Sequence, residues 1–148
     1  MILADTNFWL ALVFSKHVFH RAVRDWFDEQ SADASVVFCR ATQQSFLRLL
    51  TTAAVMRPYD LPPMTNAQAW TVYDGLLAEK RVGWVGEKDA GELESHWKTF
   101  AAGALPSPKL WMDAYLAAFS LSGGHRLVTT DKAFQQFKGV HPIVIAVP

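Results

Sequence analysis

The stretch MILADTNFW, residues 1–9, places an aspartate directly behind four apolar residues. Such a short apolar run predicts a buried β-strand that ends at Asp5. Because ligands of open parallel α/β sheets bind at the carboxyl ends of the strands, Asp5 is a candidate site residue. Two further aspartates stand in comparable places: Asp131 follows the apolar run 127–130, and Asp113 lies near the start of a helical stretch. Three carboxylates at one sheet edge predict a Mg²⁺ site, and Mg²⁺ indicates phosphate chemistry.

Composition predicts a globular chain without a membrane segment. With 148 residues, of which 51% are hydrophobic, the chain is long enough for one domain with a full core. No apolar run approaches the roughly 18 residues of a membrane span, and no basic region precedes the first one, so neither a membrane helix nor a signal peptide is expected. Cys39 is the only cysteine, which excludes an intrachain disulfide and favours the cytoplasm. Lysine plus arginine number 14, as do aspartate plus glutamate, so a nucleic acid would have to meet a local basic patch.

Two periodicities alternate along the chain. Short apolar runs predict strands at residues 1–4, 35–39, 81–85, 126–130 and 142–147, each buried on both faces. Helical spacing predicts helices at residues 18–29, 43–52, 89–101 and 109–122, and another that opens with the capping box TNAQ at residues 65–68. Residues 56–63 are predicted to form a loop. The alternation predicts a parallel sheet with helices on both faces, and without a linker or repeat, residues 1–148 are expected to form a single domain.

Each aspartate also has a simpler explanation. Asp5 and Asp131 stand where they could cap helices that begin near Thr6 and Lys132. Asp113 is harder to explain in this way, because it lies one turn inside a helix on a mostly apolar stripe. Two carboxylates about 5 Å apart repel by roughly 3 kcal/mol at an effective dielectric near 20. Either a metal offsets this repulsion or the three acids lie far apart.

Three blocks of the sequence together resemble the motifs of PIN-domain ribonucleases. They are LADTNFW at residues 3–9, DAYLAA at 113–118 and VTTDKAF at 128–134, and they follow the order of that family. More narrowly, they resemble the VapC toxins of bacterial toxin–antitoxin pairs, as does CRATQQSFLRLLT at residues 39–51. The resemblance spans almost the whole chain and implies a PIN-like three-layer α/β fold, with a five-stranded parallel sheet flanked by helices.

The resemblance also implies an activity and partners. We expect a Mg²⁺- or Mn²⁺-dependent endoribonuclease that cleaves RNA phosphodiester bonds with a metal-activated water, as the toxin of a VapBC-type pair. Asp5, Asp113 and Asp131 are the expected catalytic and metal-binding residues. The family further implies a homodimer and a cognate VapB-like antitoxin, and we expect the protein to act in the cytoplasm without a membrane partner.

One position departs from the family pattern. Many PIN domains carry a glutamate in the helix after the second strand, where this chain has Ser45. The expected metal set is therefore three aspartates, with Ser45 or Thr129 contributing through water and with Glu87 or Asp89 as alternative ligands. A second function stays open for the same reason: a degenerate PIN domain that binds RNA or a partner protein with little cleavage.

Further side chains could assist the aspartates. Asn7 could orient Asp5 or a metal-bound water, and a plain turn role explains Asn7 equally well. The hydroxyls of Thr6 and Thr129 could contact metal waters, although strand propensity also explains Thr129. Arg40 and Arg48 could bind RNA phosphates, because guanidinium groups pair bidentately with phosphate, or could be merely solvated. Several aromatic side chains could stack on unpaired bases, although their helical spacing is also typical of a core or a dimer interface: Trp26, Phe27, Trp70, Trp97 and Trp111.

Two other enzyme and signalling classes fit less well. A haloacid-dehalogenase-like phosphatase needs a second acid two residues after the first aspartate, where this chain has Asn7. A receiver domain needs an aspartate behind its third strand and a lysine behind its fifth, whereas here Val85-Gly86 ends the third strand and Lys138 precedes the fifth.

Overall fold

The computed structural model describes residues 1–88 and 90–148, and within them a five-stranded parallel sheet forms the centre of the fold. Its strands lie in the order β3-β2-β1-β4-β5, and every pairing is parallel. They are β1 (Ile2–Ala4), β2 (Val36–Phe38), β3 (Val82–Trp84), β4 (Arg126–Thr129) and β5 (Ile143–Val144). The predicted sheet is confirmed, with each strand somewhat shorter than its apolar run.

Helices pack on both faces of this sheet. They are α1 (Thr6–Val13), α2 (His20–Asp28), α3 (Arg40–Leu50), α4 (Ala53–Met56), α5 (Asn66–Leu77), α6 (Ala90–Ala101) and α7 (Leu110–Gly123), with 3₁₀ turns at Arg57–Tyr59 and Lys132–Gln136. Because side chains alternate along a strand, Ala4 packs into a core with α1, α2, α3 and α5, and Leu3 into a second core with α6 and α7. No helix in the described part of the chain is long and apolar enough to cross a membrane.

A capping box and a glycine explain two of the helix boundaries. The predicted capping box is confirmed: the Gln68 amide donates to Thr65 Oγ1 at 3.1 Å, and the Thr65 amide donates to Gln68 Oε1 at 2.9 Å. Helix α7 stops at Gly124, whose φ of +66° is the left-handed conformation that glycine tolerates.

Two boundary predictions were wrong. Helix α3 begins at Arg40 rather than at residue 43, because the Cys39 amide donates to Thr42 Oγ1 at 3.0 Å and so caps an earlier start. The predicted loop 56–63 is helical up to Tyr59, where Pro58 fits a first helical turn. The helix predicted to start at residue 89 is α6, and Asp89 itself lies outside the described residues.

Burial on both faces holds for the central strands but not at the sheet edges. Strand β2 is fully buried and β1 nearly so, whereas Trp84 at the end of β3 is 44% exposed and β5 is only half-buried. Edge strands lack a neighbour on one side, so the prediction of two-sided burial was wrong for them.

The chain order reverses at β1, which has β2 on one side and β4 on the other. Parallel α/β sheets bind ligands at such a switch point, outside the carboxyl ends of the two strands. Ala4 pairs with Val128 in register, so the residues that follow them, Asp5 and Thr129, lie side by side at this edge. The fold therefore places two of the predicted site residues next to each other.

Candidate active site

Asp5 is held firmly at the end of β1. Its main-chain amide donates to the Val128 carbonyl at 3.1 Å, which continues the β1–β4 ladder. Its Oδ1 accepts the Asn7 amide at 2.5 Å and caps α1, so the capping explanation is confirmed. The residue is only 4% exposed, which leaves Oδ2 as a buried carboxylate oxygen directed toward β4.

Thr129 links Asp5 to Asp131. The Thr129 hydroxyl donates to Asp5 Oδ2, and Thr129 Oγ1 accepts a hydrogen bond from the Asp131 amide at 2.9 Å. Asp131 in turn accepts the Ala133 amide at 2.8 Å and caps the following 3₁₀ turn. Thr129 is fully buried, so this arrangement is fixed by the fold. Both capping aspartates therefore face the same sheet edge with their positions set by one hydroxyl group.

Asp113 completes the group from the first turn of α7. Burial, together with the negative charge of Asp131, raises the pKa of Asp113 to about 6. Burial likewise raises the pKa of Asp5 to about 6 against the opposing hydrogen bonds from Thr129 and Asn7, with the charges of Asp113 and Asp131 adding to the rise. Each aspartate thus lies within electrostatic range of the other two.

The three aspartates do not by themselves form a finished metal cage. Among residues 1–88 and 90–148, no three carboxylate, imidazole or thiol side chains stand close enough to hold an ion as they are. An ion bound here would have to draw the carboxylates together or reach some of them through water, as Mg²⁺ commonly does. Within the described chain the Thr6 hydroxyl, buried directly after Asp5, also has no hydrogen-bond partner. The oxygen donors and this orphaned hydroxyl fit a hydrated, hard divalent cation.

Of the positions considered for the role of the missing glutamate, the structure describes Ser45 and Glu87. Ser45 is buried on α3, and no hydrogen bond between described residues joins it to the three aspartates. Glu87 is exposed and accepts the Tyr115 hydroxyl at 2.7 Å. Asp89, the other alternative ligand, lies outside the described residues. The group that the structure brings together is therefore Asp5, Asp113 and Asp131.

The two predicted phosphate-binding arginines lie at opposite ends of α3. Arg40 is its first residue, beside the carboxyl end of β2, with its guanidinium 4.8 Å from the centre of the Trp84 ring. Arg48 lies two turns further on, in a small groove with Asn66 and Trp70 of the α5 region. Only Arg40 is at the sheet edge that carries the aspartates.

Sequence reasoning missed two residues that flank the aspartate on α7. Met112 and Tyr115 line an apolar groove beside Asp113. Their helical spacing around Asp113 could have indicated these two residues, although apolar residues at such spacing are also typical of a buried core. Of the aromatic side chains considered for stacking, Trp26 packs against the core while Trp70 and Trp111 are exposed.

Comparison with known proteins identifies the family of this chain. The family model described as PIN domain matches residues 2–140. Ribonuclease VapC41 of Mycobacterium tuberculosis is 51% identical over 146 residues, which cover 99% of both chains. DNA-bound VapBC from Salmonella typhimurium shares the fold at a TM-score of 0.66 and 15% identity, over 97% of this chain and 98% of that one. The sarcin–ricin loop cleaving toxin VapC20 of M. tuberculosis shares the fold at a TM-score of 0.61 and 17% identity, over 96% of this chain and 100% of that one. The chain belongs to the PIN-domain family and, within it, to the VapC ribonuclease toxins.

Proposed function

We propose that this ribonuclease cleaves RNA endonucleolytically with a divalent cation, Mg²⁺ or Mn²⁺, held by Asp5, Asp113 and Asp131. The observation that carries the proposal is that the three carboxylates lie near one another at the switch point of the sheet, where the charges of Asp113 and Asp131 add to the effect of burial in raising the pKa of Asp5. Gathering such charges destabilises a fold unless a cation offsets their repulsion. When bound, a divalent cation polarises a phosphoryl oxygen and lowers the pKa of a water.

The surrounding residues hold the aspartates and receive the substrate. Thr129 and the Asn7 amide fix both oxygens of Asp5, so that this carboxylate needs little reorganisation when a cation arrives. The Thr6 hydroxyl is free to hydrogen-bond a metal water or a phosphate oxygen. Arg40, exposed at the same edge, is placed to pair with a phosphate of the RNA backbone.

The proposal extends to partners and to the domain. The relatives include VapBC pairs, so we propose a VapB-like antitoxin for this chain. Exposed apolar side chains, among them Val18, Trp70 and Leu105, support its assembly with a second copy or with that antitoxin. One sheet joins Ile2 to Val144, which supports residues 1–148 as a single nuclease domain.

Cleavage of a single-stranded RNA by the purified chain tests the activity. We expect cleavage with Mg²⁺ or Mn²⁺ and none with EDTA, and loss of most activity on replacing Asp5, Asp113 or Asp131 with Asn. Asp74→Asn is the matched control, because it makes the same change at an exposed position on α5. Calorimetric titration with each metal, on the wild type and on Asp5→Asn, reports the ligand role separately from the activity.

The degenerate alternative predicts a different result from the same experiments. RNA binding without metal-dependent cleavage would support it, and so would cleavage that survives all three Asn substitutions. Titrations in which Asp5→Asn binds Mg²⁺ as the wild type does would remove Asp5 from the metal site.

A further inference from the structure

An apolar groove is lined in part by residues that neighbour Asp113 in α7. It has a volume of about 370 Å³ and is lined by Ala41, Trp97, Pro108, Trp111, Met112 and Tyr115. We name it the Trp111 groove, because the Trp111 side chain is 60% exposed there. Its size falls in the lower part of the range of small-molecule pockets, roughly 300–1,000 Å³.

The aromatic walls of the Trp111 groove are fixed by contacts among themselves. The Trp97 indole N–H donates to the Trp111 carbonyl at 3.0 Å, and the two rings meet edge to face with centroids 6.3 Å apart. Trp97 also meets the Tyr115 ring edge to face at 5.3 Å, and the Tyr115 hydroxyl is bound to Glu87. The walls are therefore held in place, while Trp111 offers an open ring surface.

The groove adjoins the candidate active site along α7, because its lining residues Met112 and Tyr115 stand on either side of Asp113 in the sequence. Trp111 and Met112 directly precede Asp113 in the first turn of α7, so these two lining residues lie within about one helical pitch, roughly 5.4 Å, of Asp113 along the helix axis. Two exposed cations neighbour lining residues in the sequence: Arg40 precedes Ala41, and Lys109 follows Pro108. An aromatic surface flanked by cations is the pattern with which proteins bind single-stranded nucleic acid.

We propose that the Trp111 groove binds an unpaired nucleobase of the RNA substrate, next to the phosphodiester bond that is cleaved. The base stacks on the Trp111 ring, and Arg40 and Lys109 meet the neighbouring phosphates. An apolar protein segment would offer these two cations no negative charge to pair with, which favours the nucleotide as the occupant. This inference rests on the proposed function, because it assumes that the aspartates beside the groove cleave RNA.

The test uses a single-stranded RNA hexanucleotide with 2-aminopurine at one position at a time, titrated with the Asp5→Asn protein in Mg²⁺. We expect indole stacking to quench the fluorescence strongly at one position. Adding Trp111→Ala should remove that quenching and weaken binding on the order of tenfold, whereas Trp111→Phe should keep most of the affinity. Trp70→Ala is the matched control, because Trp70 is an exposed tryptophan on α5 and should leave both readings unchanged.

Two outcomes would overturn the proposal. The base site is excluded if Trp111→Ala binds the RNA as tightly as its parent, if quenching does not depend on the position of 2-aminopurine, and if a folded Ala41→Phe variant, which fills the groove, also binds normally. A fall in mass from dimer to monomer in Trp111→Ala, measured by sedimentation, would make the groove an interface between two copies. Cleavage by the wild type, assayed in parallel, separates these outcomes from a failure of the nuclease function itself.

Discussion

Thr129 donates its hydroxyl hydrogen to Asp5 although the two residues are 124 positions apart in the chain. The bond exists because β1 and β4 pair in parallel, so that the residues after Ala4 and Val128 meet at one edge. It opposes burial, which raises the pKa of Asp5, and it is the largest of the effects that lower that pKa. Thr129 is therefore a positioning residue for Asp5.

Replacing Thr129 with Val should raise the pKa of Asp5 further above 6, because the carboxylate loses the hydroxyl that favours its charged form. The Asp131 amide also loses its acceptor, which should lower the free energy of unfolding by about 1–3 kcal/mol. The carboxyl titration followed by NMR in the metal-free protein measures the first effect, and urea unfolding measures the second.

Thr129→Ser is the control, because it keeps the hydroxyl and should keep both the pKa and RNA cleavage near those of the wild type. An Asp5 pKa that stays at its wild-type value in Thr129→Val would show that the hydrogen bond does not govern this carboxylate.

The stability of the metal-free protein should fall as the pH rises through about 6. The folded state raises the pKa of Asp5 from its ordinary value near 3.8 to about 6, so between these values it binds a proton that the unfolded chain has released. That pKa difference corresponds to about 3 kcal/mol in the free energy of unfolding. Relative to pH 7, the protein has this extra stability below about pH 4 and has lost it above pH 6. Asp5→Asn should remove this contribution and be more stable than the wild type at pH 7.5.

Urea unfolding in EDTA at pH 5 and pH 7.5, on the wild type and on Asp5→Asn, measures this effect. The comparison of the two proteins isolates the effect of Asp5. It is needed because His17 and His125 have lowered pKa values, which make the stability rise with pH in both proteins. Parallel pH profiles for the two proteins would mean that Asp5 ionises normally in the fold.

Much of the fold could be predicted because its central strands are uninterrupted apolar runs. The misses have local causes: Cys39 and Thr42 form a cap that apolar periodicity does not reveal, and Ala53–Met56 is too short to show a helical period. The exposure of Trp84 depends on its strand being at an edge, which is a property of the sheet order rather than of the strand itself.

The sequence could propose the residues of the candidate site but not the contacts between them. The aspartates follow their strands or open a helix, and resemblance to a family pointed to them. The role of Thr129 depends on the register between two strands from opposite ends of the chain, and the Trp111 groove depends on how α6 packs against α7. Neither relationship leaves a signal within one stretch of sequence.

Ser45→Glu should strengthen metal binding, because it restores an acid at the position where many PIN domains carry one. The change should tighten Mg²⁺ affinity on the order of tenfold, equivalent to about 1.4 kcal/mol. It should also destabilise the metal-free protein, since a buried carboxylate is costly without a partner. Calorimetric titration measures the affinity, with Ser45→Gln as the neutral control of similar size. Equal Mg²⁺ affinity in the Glu and Gln variants would place Ser45 outside the metal site.

Expression of this chain alone should arrest bacterial growth, and the product of a small neighbouring reading frame should relieve the arrest. Asp5→Asn should abolish the arrest without abolishing the complex with that product, because it changes a buried oxygen at the site rather than the exposed surface. Growth curves and co-purification measure the two effects. A wild-type chain that is harmless when expressed alone would contradict the prediction.

The two arginines of α3 should differ in their contribution to RNA binding. Arg40 is at the sheet edge with the aspartates, whereas Arg48 lies about 12 Å further along the helix axis. Arg40→Ala should weaken binding and reduce the slope of log affinity against log salt by about one, because one phosphate contact is lost. Arg48→Ala, which removes the same charge from the same helix, should leave the slope unchanged. Fluorescence titration of a labelled single-stranded RNA at several salt concentrations measures the slope for each variant. A slope that changes only in Arg48→Ala would instead place the RNA backbone at the far end of α3, beside Trp70.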